Sequence, residues 1–255
     1  MNILAISEGP VSATTETTTT VMFGSLLAVF VVWGLSARTH LRRARILILV
    51  GASALAGFQD LAYYRLVGVT TFHSADAAIV YSAYSLQLPL WVLLGYSVWP
   101  AGIACIAVIA FDKNWSAGRI WRTYAALVAL GIVGEALMIK WRLYAYAGPH
   151  PLRIFGVPFI WPLIYTAGFW ALGLLVAQAT LSLSGARRLA LLPLGGSLML
   201  GGAAFLGWPV LLGTGMNLPM LPTNLLATVS AAMTLTAFAL LIRWSRRGIE
   251  EKESQ

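Results

Sequence analysis

Charge is what this chain has least of. Asp, Glu, Lys and Arg make up 10% of its 255 residues, while 59% are hydrophobic. A soluble domain carries about 25% charged residues, so this composition cannot cover a water-facing surface. Mean hydropathy is +0.79. Cysteine is nearly absent. The one thiol, Cys105, lies inside an apolar run, which excludes an internal disulfide and a cysteine metal cluster. It reads as a small buried hydrophobe. There is no His-x-x-x-His pair on a span, no phosphate-binding loop and no Asp-rich diphosphate motif. No Ser/His/Asp set has supporting context, and the last apolar run lacks the lysine a retinal Schiff base needs. Neither a metal nor a cofactor is therefore expected.

Basic residues are in excess, with a net charge of +8. They do not form a nucleic-acid patch, because they sit between apolar runs as membrane topology requires. Runs near the ~20 residues that cross a bilayer fall at 20–36, 45–64, 88–110, 121–143, 158–182, 189–212 and 223–243. The expected fold is all-α, a polytopic membrane protein of seven transmembrane helices. A polar tail is expected over 1–19, the transmembrane domain over 20–244 and a charged cytoplasmic tail over 245–255. The opening "MNILAISEGPVSATTETTTT" has Glu8 and Glu16 but no basic residue, unlike a secretory signal. The first apolar run is thus expected to be a span. The stretch 76–88 is too long to join the third span, so it reads as an interfacial or bent helix with Asp76 as its N-cap.

Orientation follows from the Lys and Arg residues. Arg38, Arg42, Arg43, Arg45, Lys113, Arg119, Arg122, Arg187, Arg188, Arg243, Arg246, Arg247 and Lys252 fall on one side of this topology. Arg65, Lys140, Arg142 and Arg153 fall on the other. The N-terminus is expected outside and the C-terminus inside, in a bacterial plasma membrane. No internal repeat supports a transporter built from inverted halves.

Acids at membrane depth are costly and mark candidate sites. Asp60 lies in "GFQDLAYY" and Glu135 in "IVGEALM". Asp60 is 15 residues beyond Arg45 and Glu135 is 13 beyond Arg122. At 1.5 Å per residue both lie roughly 20 Å from the inner face. An acid/base pair at one level in the outer half of the membrane is the expectation. Gln59, Tyr63, Tyr64, Arg142, Tyr146, His150 and Trp161 are the candidate substrate-binding residues around it. Arg142 follows Glu135 by seven residues, which on a continuing helix shares its face. The structural alternative pairs Asp60 with Arg65 and Glu135 with Arg142. Asp112 reads as a solvated rim residue, and Trp99, Trp115, Trp121, Trp141 and Trp161 as interfacial aromatics. The loop "AGPHPLRIFGVP" is stiffened by Pro149, Pro151 and Pro158 and turned by Gly148 and Gly156. It reads as a wall or lid over the acids.

The stretch "YAYAGPHPLRIFGVPFIWP", following an in-span glutamate, resembles the AveC-like spirocyclase family. The resemblance covers mainly residues 130–165. It implies a membrane enzyme that closes a spiroketal, or dehydrates it, without a cofactor. A glutamate followed by "Y-x-Y" and "GVP" is also similar to membrane carotenoid hydratases and cyclases, which implies an isoprenoid substrate. The expectation is an integral-membrane cyclase acting by acid/base chemistry on a lipophilic polyketide or isoprenoid. Its partners would be that substrate and membrane lipid, without nucleic acid. The alternative of another class is a proton-coupled transporter or a lipid-binding membrane protein.

Overall fold

Helices dominate because the chain is a series of apolar runs with good caps. The computed structural model describes residues 11–146 and 150–253. Helix α1 spans Ala13–Leu35, capped by Ser12, whose hydroxyl accepts from the Thr15 N–H at 3.1 Å. The Thr19 and Thr20 hydroxyls donate to the carbonyls one turn back, at 2.8 and 2.9 Å. That satisfies threonines that would otherwise compete with the helix. The expected polar tail to residue 19 is therefore corrected: from Ala13 onward it is helix. Glu16 is buried there and accepts from the Ser74 N–H at 2.7 Å, tying α1 to the loop at 72–74.

The run 45–64, expected as one span, is two helices. Helix α2 covers His40–Phe58 and α3 covers Asp60–Val67, with a 55° bend at Gln59. No proline causes it. Instead Tyr81 reaches the break: its hydroxyl donates to the Phe58 carbonyl and bonds the Leu61 backbone, and its ring stacks on Phe58. One phenol thus serves backbone groups that the bend leaves open.

Helix α4 spans Leu90–Asp112, α5 Ala117–Lys140, α6 Ile160–Ser182, α7 Leu194–Gly215 and α8 Met220–Glu253, with a 3-10 segment at Gly185–Leu191 before α7. Among the described residues six helices are long and apolar enough to cross a membrane, and the bent α2–α3 pair makes a seventh candidate. These helices are compatible with an integral membrane protein. The tail expected from 245 continues α8 to Glu253. The side chains of Arg246, Arg247 and Lys252 lie outside the described residues.

Helices α4 and α6 form the centre, and α6 is the most buried of the long helices. A side chain at Gly173 would collide with the Ala104 carbonyl, so glycine permits this close crossing. Phe238 of α8 stacks on Tyr124 of α5 and meets Trp121 and Trp170 edge-on. The Tyr124 hydroxyl donates to the Leu163 carbonyl at 2.7 Å, joining α5 to α6.

The two ends of the bundle differ. At one end, α2 starts while α4 and α6 finish. There the buried Arg45 guanidinium bonds Asp112 at 2.8 and 3.0 Å, the Thr180 hydroxyl at 2.8 Å and the Ala177 carbonyl at 2.6 Å. Asp112, expected to be solvated, is half-exposed and paired. At the other end three small antiparallel sheets cap the helices. Strand β1 (Val69–Thr71) pairs with β4 (Tyr144–Tyr146), joining the exits of α3 and α5. Strand β2 (Ile79–Ala83) pairs with β3 (Leu86–Pro89), and β5 (Arg153–Ile154) with β6 (Val157–Pro158). The helix expected at 76–88 is thus a hairpin, and Asp76 lies in a turn rather than at an N-cap. Its loop residues Tyr84 and Ser85 have φ of 55° and 60°. Phe155 and Gly156 have 52° and 85°. Both are two-residue turns with left-handed central residues, the type that matches strand twist.

Candidate functional site

The site is built where the sheet-capped end meets the helices. A cavity of about 270 Å³ lies between α1, α4, α5 and α6. Small-molecule pockets start at roughly 300 Å³, so its volume lies near the lower end of that range. Met22 and Phe23 of α1 line one side, and Leu130, Gly134 and Met138 of α5 the other. Helix α5 packs mainly on α6, not on α1. Met22 and Leu130 are also exposed on the outside of the bundle. The cavity therefore reaches the lateral surface through the space between α1 and α5.

Its walls are aromatic. Tyr63 and Tyr64 come from α3, Trp91, Tyr96 and Trp99 from α4, Tyr144 and Tyr146 from β4, and Tyr165 and Phe169 from α6. The β1–β4 pairing fixes the strand that presents Tyr144 and Tyr146, with Tyr146 opposite Val69 and Tyr144 opposite Thr71. Glu135 is the acidic side chain among the lining residues. The Tyr146 hydroxyl donates to its Oε2 at 2.8 Å, and Tyr165 and Tyr144 are further hydrogen-bonding neighbours. The Trp99 indole bonds Tyr165 in turn. A side chain at Gly131 would collide with the Tyr165 hydroxyl, so glycine one turn before Glu135 lets that phenol lie across α5. Burial first, and the Glu135 charge second, raise the Tyr144 and Tyr146 phenols well above the ordinary tyrosine range. Both are held as donors.

Asp60 is fully buried and does not line the cavity. Tyr96 and Tyr64, its hydrogen-bonding neighbours, stand between it and the open space. Neither carboxyl oxygen has a partner at full hydrogen-bond geometry. Tyr63 and Tyr64 are within electrostatic range of both Asp60 and Glu135. The two acids therefore share one tyrosine cluster from opposite sides.

The remaining candidates separate. Tyr63, Tyr64 and Tyr146 line the cavity, and His150 is buried with its ring edge-to-face on Tyr146 at 5.3 Å. Trp161 is fully buried behind Tyr63, 6.4 Å away, and is not an interfacial residue. Gln59 packs its amide on Gly196 of α7, outside the lining. Arg142 does not share the Glu135 face: α5 ends at Lys140, and Arg142 is exposed with φ of 58°. No salt bridge joins Glu135 to Arg142 or Asp60 to Arg65; the ion pair seen among the described residues is Arg45–Asp112. Of the loop expected as a wall, Val157 is fully buried and the tip Phe155 is 81% exposed. Gly148 and Pro149 lie outside the described residues.

Tyr96, Tyr165, Trp91 and Phe169 are site residues that sequence reasoning missed, and Trp99 was assigned to the interface. For the tyrosines a signal exists. A hydroxyl in the middle of an apolar span is costly unless a partner waits for it. Among the described residues no group of three or more metal-ligating side chains forms. Comparison of the chain with protein-family models, curated proteins and solved structures finds no match.

Proposed function

We propose that this protein is an integral-membrane cyclase or hydratase/dehydratase that performs acid/base chemistry on a lipophilic substrate. The observation that carries the reading is Glu135: a carboxyl held by tyrosine hydroxyls on the wall of an aromatic cavity that meets the lateral surface between α1 and α5. A substrate dissolved in the bilayer enters by that side without crossing water.

In its acid form Glu135 gives its proton to an alkene carbon or to a ketal or alcohol oxygen. A carbocation or oxocarbenium ion results. A hydroxyl of the same substrate attacks the cationic carbon, a C–O bond forms, and the hydroxyl proton returns to the Glu135 carboxylate. From an alkene, which gives up only its π bond, or from a cyclic ketal, whose cleaved C–O oxygen stays in the molecule, the net change is an isomerisation; from an alcohol, whose protonated oxygen leaves as water, it is a cyclisation with loss of one water. When the protonated oxygen leaves as water and Glu135 takes a proton from the adjacent carbon, the net change is a dehydration. The tyrosine phenols hold the carboxylate between these steps. Asp60 acts on the substrate only through Tyr64 and Tyr96, so it is a positioning residue rather than a second acid. This departs from the paired acid/base expected from depth alone.

Polyketide and isoprenoid chains both suit the cavity, as the sequence resemblances imply. With the function we place a seven-span topology in which the α2–α3 pair counts as one crossing. The Arg45 end then faces the cytoplasm of a bacterial plasma membrane and the sheet-capped end faces outward. The test is a lipid extract of the producing cell, analysed by mass spectrometry. Without the protein, an open-chain or hydrated precursor accumulates. The wild-type chain converts it to a species of equal mass or one water lighter, and Glu135→Gln does not. Full conversion by Glu135→Gln overturns the assignment.

A further inference from the structure

We infer that the α1–α4–α5–α6 cavity is a binding site for a lipophilic monocation, held on tyrosine and tryptophan ring faces with the Glu135 carboxylate as counter-charge. The inference rests on the reading of this cavity as the substrate pocket, and it names the charge state the pocket recognises.

Three observations carry it. First, the lining holds tyrosines from four separate elements, α3, α4, β4 and α6, together with Trp91 and Trp99 of α4. Aromatic rings converging from several directions are the recognised cage for ammonium groups, and the attraction is strongest in a site removed from water. Second, Glu135 is on that wall, while among the described residues no lysine or arginine lines the cavity. Arg153 donates instead to the Tyr146 backbone carbonyl at 3.3 Å and stays outside the lining. A carboxylate among rings with no basic side chain on the same wall is complementary to one positive charge. Third, Asp60 adds a second buried carboxyl behind Tyr64 and Tyr96. Both acids therefore adjoin the same phenols, Glu135 from the cavity wall and Asp60 from behind Tyr64 and Tyr96, and each favours a cation there when ionised. The walls are otherwise apolar and the entrance opens on exposed Met22 and Leu130, so the cation must carry an alkyl body rather than be a hydrated metal ion.

This charge has two sources. It forms transiently when Glu135 protonates a neutral substrate, or it is permanent on an amine ligand. Hexyltrimethylammonium serves as the probe, and its carbon isostere, with a quaternary carbon in place of nitrogen, as the neutral control. Binding to the full chain in nonionic detergent is read by titration calorimetry against protein-free micelles. The expected result is a preference for the ammonium of at least ~10-fold. Glu135→Gln reduces the preference to near unity and Glu135→Asp retains most of it, so misfolding of the first variant does not decide the matter.

The two sources then separate. If the ammonium slows conversion of the natural precursor in membranes, it stands in for a reaction cation. If it is carried into proteoliposomes, the cation is a permanent ligand. Equal binding of the two probes, or an ammonium preference that Glu135→Gln leaves intact, overturns the inference. Conversion lost in Glu135→Gln with no ammonium preference leaves the catalytic reading standing and removes this one. Ammonium preference with conversion unaffected does the reverse.

Discussion

Arg45 and Glu135 are both ionisable groups placed inside the helix bundle, at opposite ends, and their surroundings are opposites. Arg45 is enclosed by everything a guanidinium needs: a carboxylate, a hydroxyl and a carbonyl from α4 and α6. Nothing there is left for a ligand. Glu135 receives phenol hydroxyls, has no arginine or lysine on its wall among the described residues, and faces open space. A buried charge that is fully partnered holds helices together. A carboxyl that is hydrogen-bonded but uncompensated, beside a cavity, is prepared for a positive charge that the fold does not supply. Burial in the helix bundle alone does not distinguish the two, whereas the list of partners does.

Mutations can break this contrast. Glu135→Gln has the largest expected effect, a loss of conversion of about 10²- to 10⁴-fold, the range for removing a general acid/base. It is read as product formed per folded protein in membranes. Arg45→Met comes next, in stability rather than chemistry. It removes bonds from a charged donor, each contributing roughly 1.5–3 kcal/mol. Asp112 is half-exposed and can turn to water. The net loss is therefore about 2–3 kcal/mol, seen as a lower thermal midpoint in detergent. Asp60→Asn is expected to reduce conversion by about tenfold, through Tyr64 and Tyr96. The Asp60→Asn midpoint stays at or above wild type, because a buried carboxyl without a full partner is replaced by a neutral group. Tyr146→Phe has the smallest effect. One hydroxyl leaves Glu135 while Tyr144 and Tyr165 remain, so conversion falls by only a fewfold, about 1 kcal/mol.

The long helices, and an acid inside one of them at Glu135, were legible from the sequence, because apolar runs and an in-span acid are strong signals. The bend at Gln59 was not. Neither proline nor a glycine pair marks it, and the phenol that stabilises it comes from Tyr81, in another element. The hairpin at 79–89 was hidden for a related reason. Its turn uses Tyr84 and Ser85 in left-handed conformations, not the Asn-Gly pair that announces such turns. Arg142 lies off the expected face because α5 ends at Lys140, and no proline or glycine marks that end in the sequence. Asp60 is buried, as an in-span acid is expected to be, but which side of Tyr64 it lies on is a tertiary fact. The same holds for Tyr96 and Tyr165. A lone aromatic in an apolar helix reads as core until its neighbours are known.

The most direct test of the account places two readings on the same two proteins: conversion per folded molecule and thermal midpoint in detergent, for Glu135→Gln and Arg45→Met. The account predicts that Glu135→Gln loses conversion and keeps its midpoint, while Arg45→Met loses midpoint and keeps conversion. A Glu135→Gln protein that unfolds as early as Arg45→Met, or that still converts its substrate, would contradict it.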